Sequence, residues 1–295
     1  MAEFELRYGN TTAKVRTKGA QITSFKGPDG REVMWQADPA VWAQHAPVLF
    51  PVCGSVRDGK IVIAGKTYPM TKHGFTREPD FAVSHLGDDF IDLVLTPTEE
   101  SKPMYPFDFA FHVTYRLFEN GYTTTFLVEN KSDAVMPMCV GGHPGFVCPM
   151  EPGAAFEDYQ LVFAREESGE NTLAPNGYLA DGTEHLDELQ NGRVLPLSHQ
   201  LFDARDALIF AGLNSRSVDL VHKDTGRGLR FDFPKMEVLA VWTKPGANAD
   251  YLCLEPWHGM PGRAQDSDNF EDKPYVTLLQ PGRVYTAWFT TTLIG

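Results

Sequence analysis

Polar and apolar residues alternate along short stretches of this chain and almost nowhere recur at the spacing of a helix. Period-two runs rich in β-branched and aromatic residues predict strands at 4–8, 13–16 and 21–25, then at 80–86, 90–97, 134–141 and 158–164. Further runs follow at 207–212, 217–222, 228–233, 237–242, 251–255, 275–279 and 284–292. The clearest local signal is a hairpin at 109–119 and 122–129, two β-rich runs joined through Asn120-Gly121. A second hairpin is expected around Ala64-Gly65. The segment from Pro47 to Gly54 reads as extended but lacks two ladder donors at its prolines, which places it at a rim. Residues 39–46 are expected to form a helical turn or two, and the polar stretch 165–200 an excursion over one face with a short helix. There is no internal repeat, low-complexity tract or composition break. About fifteen short strands without interruption predict an all-β fold, a large antiparallel β-sandwich forming one domain over 1–295.

Composition narrows the function. The 295 residues are 42% hydrophobic and 12% aromatic, enough for a sizeable core. Net charge is −13, from 26 basic and 39 acidic residues, which argues against nucleic acid and anionic membranes as partners. It also gives no long-range attraction to a phosphorylated ligand, leaving only a local arginine pocket to bind one. No apolar run approaches the roughly 18 residues of a membrane span, and the start lacks a secretory pattern. Cys53, Cys139, Cys148 and Cys253 lie beside apolar residues with no Cys-x-x-Cys pair; they read as reduced thiols and suggest a cytoplasmic protein.

Three polar stretches stand out because glycine, proline or aromatic residues frame them. In Met138-Cys139-Val140-Gly141-Gly142-His143-Pro144-Gly145-Phe146, paired glycines permit unusual torsions or a close approach, and Pro144 pushes His143 towards an extended conformation. In His73-Gly74-Phe75-Thr76-Arg77, an extended chain would put residues 73, 75 and 77 on one face, suited to a ring with hydroxyl groups. In Leu252-Cys253-Leu254-Glu255-Pro256-Trp257-His258-Gly259, an apolar strand ends on a carboxylate, costly to bury unless paired or employed. Trp257 offers a flat apolar surface for a sugar ring. Each stretch also has a plain structural reading: a core histidine, a surface loop, a strand-end glutamate capping a turn. His73, His143 and Glu255 could in principle form a two-His-one-carboxylate set, but none of the familiar zinc spacings appears, and a nucleophile elbow, a phosphate loop and a dinucleotide fingerprint are missing, so no metal and no cofactor are expected.

Taken together the stretches resemble the aldose 1-epimerase (galactose mutarotase-like) family, and within it the LacX-like branch. The resemblance runs in order through LFPVCGSVRDGKIVIAGKTYPMTKHGF, GGHPGF, LFDARDALIF, VWTKP, CLEPWHGM and FEDKPYVTLLQPG. It implies a galactose mutarotase-like supersandwich and cofactor-free interconversion of the anomers of a monosaccharide through the open-chain aldehyde. It implies further that Glu255 is the general base, His143 the general acid and His73 a partner near the ring oxygen. Asp206 matches the family's substrate-binding aspartate, with Asp203 as a nearby competitor. Where members carry an arginine this chain has Ser55, with Arg57 two residues on. The segment Gly262-Arg263-Ala264-Gln265-Asp266 departs from the family pattern as well. Arg77 and Trp257 complete the candidate substrate contacts. A hexose-6-phosphate mutarotase, for which Arg57 and Arg77 are the candidate phosphate ligands, and a non-catalytic sugar-binding protein remain alternatives. Glu255 would be raised in pKa by burial, and its charge would raise that of His143.

Overall fold

The computed structural model describes every residue except Ala264, Asp266 and Asp268. Two antiparallel sheets dominate. A nine-stranded sheet orders Val194–Pro196, Tyr159–Phe163, Ser217–His222, Gly228–Asp232, Val284–Ile294, Gly121–Asn130, Phe109–Phe118, Phe90–Leu95 and Ala82–Leu86 side by side. A six-stranded sheet runs Ala207–Ala211, Val238–Trp242, Tyr251–His258, Val140–Gly142 and Val48–Leu49, with Gly145–Val147 also paired to Tyr251–His258. Smaller sheets flank them, among them Glu3–Tyr8, Thr11–Arg16 and Gln21–Lys26.

The alternation read from the sequence is what joins the layers. Along Gly121–Asn130 every second residue is buried, and these inward residues meet the other sheet. Phe146 of the smaller sheet packs edge-on against Phe231 of the larger at 6.0 Å, and Phe231 in turn contacts Phe289 at 5.4 Å. The Asn120-Gly121 hairpin forms as expected, with Asn120 in the left-handed region at φ 63°. Val48–Leu49 is an edge strand, consistent with its flanking prolines. The excursion 165–200 crosses as a small hairpin, Glu170–Thr172 with Thr183–His185, and its helix is His199–Arg205.

Of the helical turn or two expected at 39–46, a single turn forms, in which the amides of Val41 and Trp42 both reach Asp38 O. Trp35 and Trp42 stack with Tyr251 there.

Candidate active site

The strand Tyr251–His258 is buried along its whole length, so its two faces serve different surroundings. Leu252 and Leu254 enter the main core, whereas Tyr251 and Cys253 pack among Trp35, Val41, Trp42 and Trp242. Period two then carries Glu255 and Trp257 to the same aromatic side. There they help line a cavity of about 220 Å³. The expected end of this strand at Glu255 is wrong: it continues to His258. Leu254 N–H points to Pro144 O at 3.2 Å, so two residues on Pro256 presents its missing donor to the same neighbour, where the ladder is interrupted.

That interruption aligns the two leading candidates. Val140 and Gly141 lie opposite His258 and Trp257, while Gly145 and Phe146 lie opposite Cys253 and Leu252. The register is unchanged across the gap, so His143 stands opposite Glu255, and directly opposed residues share a face. His143 Nε2 is 3.2 Å from Glu255 Oε2. The paired glycines serve close approach rather than unusual torsion. A Cβ on Gly141 would sit 2.7 Å from Trp257 Cδ1, and one on Gly142 2.8 Å from Phe289 Cζ.

His73 reaches the cavity from a turn, which corrects the expected common face of 73, 75 and 77. His73 and Gly74 have φ of 66° and 78°, and Phe75 packs instead on Phe50, Tyr105 and Phe109. Only glycine fits at position 74, because a Cβ there would lie 1.9 Å from Phe50 O. His73 Nδ1 accepts the Gly54 N–H at 3.0 Å, so in the neutral ring Nε2 carries the proton. Arg77 lines the same cavity and donates to Lys72 O.

Asp206 caps the helix His199–Arg205 with φ 66° and ψ −71°, a strained γ-turn conformation. It stands at the cavity mouth and accepts the Trp242 indole N–H at 3.4 Å. Asp203 is instead tied to Gly246 N–H at 2.6 Å and does not line the cavity. Neither does Arg57, which opens the short turn Arg57–Gly59. In the divergent segment 262–266, Ala264 and Asp266 lie outside the described residues. Trp257 is 4% exposed, so it forms floor rather than an open platform.

The broad aromatic walls were missed in the sequence. Trp42 stacks on His143, ring centres 4.9 Å apart at 28°, and Trp242 meets the same imidazole edge-on at 5.7 Å. Lys72 also lines the cavity, beside a histidine that the sequence did single out. Lys72 and Trp242 lay inside segments that carry the family resemblance, TKHGF and VWTKP, without being singled out; Trp42 carried no signal, being brought in from a distant turn.

Burial governs the electrostatics. It pushes the Glu255 carboxyl well above its ordinary range, opposed by the Lys72 ammonium and the Trp257 indole N–H and reinforced by Asp206. Among the described residues, however, neither Trp257 Nε1 nor Glu255 Oε2 attains hydrogen-bond geometry with a partner. Burial likewise lowers His143 to about 3, with Lys72 and Arg77 adding to the effect. His73 falls well below its usual value for the same first reason. The expectation that Glu255 raises His143 is overturned: desolvation dominates at the imidazole, and the two cations push the same way. Both shifts favour the uncharged forms, a protonated Glu255 and a neutral His143.

An antiparallel supersandwich with an aromatic-walled polar cavity on its smaller sheet is the frame of the galactose mutarotase-like proteins. The chain matches the aldose 1-epimerase family model over residues 3–292 and belongs to that family: it is an isomerase of sugars. It is 34% identical to the LacX proteins of Lactococcus lactis subsp. lactis over 285 residues, 94% of this chain and 95% of theirs. A galactose mutarotase related enzyme from Lactobacillus acidophilus superposes with a TM-score of 0.92 at 30% identity, over 100% of this chain and 98% of the other. A galactose mutarotase-like protein from Lactobacillus casei gives 0.93 at 26% identity, over 99% and 100%. Among the described residues no helix is long and apolar enough to cross a membrane.

Proposed function

We propose that this protein interconverts the α and β anomers of a monosaccharide by acid–base catalysis, Glu255 acting as general base and His143 as general acid. The observation that carries this reading is the opposed pair, 3.2 Å apart on the floor of a cavity lined by Trp42 and Trp242. Its volume of about 220 Å³ lies below the roughly 300–1,000 Å³ of sites for drug-sized ligands and suits one sugar ring.

In the ring-opening step Glu255 carboxylate takes the anomeric hydroxyl proton while the His143 imidazolium protonates the ring oxygen, and the C1–O bond breaks. Rotation about C1–C2 and the reverse transfers close the other anomer. Sugar hydroxyls entering between the two groups supply the hydrogen bonds that favour the charged form, moving the shared proton from Glu255 to His143. Ring opening then consumes the charge pair and returns both groups to the neutral state that burial favours. His73 Nε2–H donates near the ring oxygen, and Asp206 accepts from a sugar hydroxyl at the mouth. Proton transfer by such groups contributes about 10²–10⁴-fold.

A hexose-6-phosphate is the second reading, favoured by Lys72 and Arg77 meeting at the cavity of an otherwise acidic chain. Polarimetry on freshly dissolved aldoses and their 6-phosphates tests both. At least one sugar is expected to equilibrate faster than in buffer, and no acceleration with any of them by the folded protein would overturn the proposal.

A further inference from the structure

We propose that His143 and Glu255 on the floor of this cavity, together with Cys253 buried behind them, are also a site for a soft divalent cation, zinc above all, and that its occupation silences the enzyme. Cys253 and Glu255 are two residues apart on one strand and so project to one side, with His143 facing them across the ladder gap. One donor atom from each lies within 4.8 Å of the others. Glu255 Oε2 and His143 Nδ1 are buried without a hydrogen-bond partner among the described residues, so Oε2 is open to a ligand.

Metal–donor bonds of about 2.0–2.3 Å in a tetrahedral zinc site put neighbouring donors about 3.3–3.8 Å apart. His143 Nε2 and Glu255 Oε2 already meet that spacing at 3.2 Å. The sulfur needs to close by at most about 1.3 Å. A thiolate, an imidazole and a carboxylate select zinc and its softer neighbours over calcium and magnesium, which take oxygen ligands. Binding exchanges the cation for the protons of the Cys253 thiol and the Glu255 carboxyl, two protons released per metal. The Lys72 ammonium and Arg77 guanidinium at the cavity oppose the cation, while Asp206 favours it.

Silencing rests on the mutarotase reading, because the metal takes the lone pairs that move the sugar's protons; binding does not. Chelator-treated full-length protein is titrated with zinc by calorimetry and with cobalt by absorption. The expected results are one cation per chain and a thiolate-to-cobalt charge-transfer band in the near ultraviolet. Mutarotation falls with zinc and returns with chelator. Cys253→Ser keeps its metal-free activity, loses the band and binds zinc at least about tenfold more weakly. Absence of the band in the unaltered protein, or equal zinc inhibition of Cys253→Ser, overturns the inference. The band is read without turnover, so a protein lacking mutarotation but showing it would sink the enzymatic reading and leave the metal site standing.

Discussion

Replacing Glu255 with Gln separates the chemical role of this side chain from its role in the fold. Glu255 is 2% exposed, and its Oε2 has no hydrogen-bond partner among the described residues. Gln keeps the shape and hydrogen-bonding capacity but cannot accept the anomeric proton. The expected loss in kcat is about 10²–10⁴-fold, or about 3–5 kcal/mol in the barrier, with KM nearly unchanged. Stability moves the other way. Burial raises the Glu255 pKa in the folded chain above its ordinary 4.5, so the folded state keeps a proton that the unfolded chain releases. The stability tied to that proton is complete below pH 4.5 and is lost as pH rises towards the folded value, by at most about 1.4 kcal/mol per pH unit. Glu255→Gln avoids that loss, so it should match the unaltered protein near pH 4.5 and exceed it at pH 7. Polarimetry gives the rate and urea denaturation at the two pH values gives the stability. Undiminished mutarotation would refute the base assignment, and a variant less stable at pH 7 would refute a neutral, buried Glu255.

Other perturbations probe the surroundings. Asp206→Asn should raise KM about tenfold, the order of one charged hydrogen bond, whereas Asp203→Asn should leave sugar kinetics unchanged; equal effects would reject the distinction drawn from the cavity. Burial depresses His45 to about 4 and His143 to about 3, so each contributes stability that is present above pH 6.5 and drains away as pH falls towards those values. Denaturant midpoints of Glu255→Gln, which lacks the opposing carboxyl contribution, should decline across that range, and a flat profile in that variant would show the imidazoles to be charged in the fold. Gly74→Ala should cost about 2 kcal/mol or more, because the left-handed torsion and the Phe50 carbonyl both reject a Cβ; a urea midpoint near that of the unaltered protein would disprove the turn.

Much of the architecture was written in local pattern. Alternation located most strands within a residue or two, Asn120-Gly121 marked its hairpin, and the prolines at 47 and 51 put Val48–Leu49 on an edge. These features depend on neighbours along the chain, so the chain reveals them. The candidates that the fold brings to one cavity, His143, Glu255, His73 and Asp206, could also be named from the chain, through a glycine pair, a strand-end carboxylate and a family resemblance. Their electrostatic state was not, because it follows from how much water the fold removes and from Lys72 and Arg77 arriving at the same cavity. The strand running past Glu255, the turn at His73 and the stack of Trp42 on His143 were likewise invisible. Each depends on which segments become neighbours in space: an unbroken register across the gap at Pro144 set Glu255 opposite His143, and only the assembled sheet contains that register.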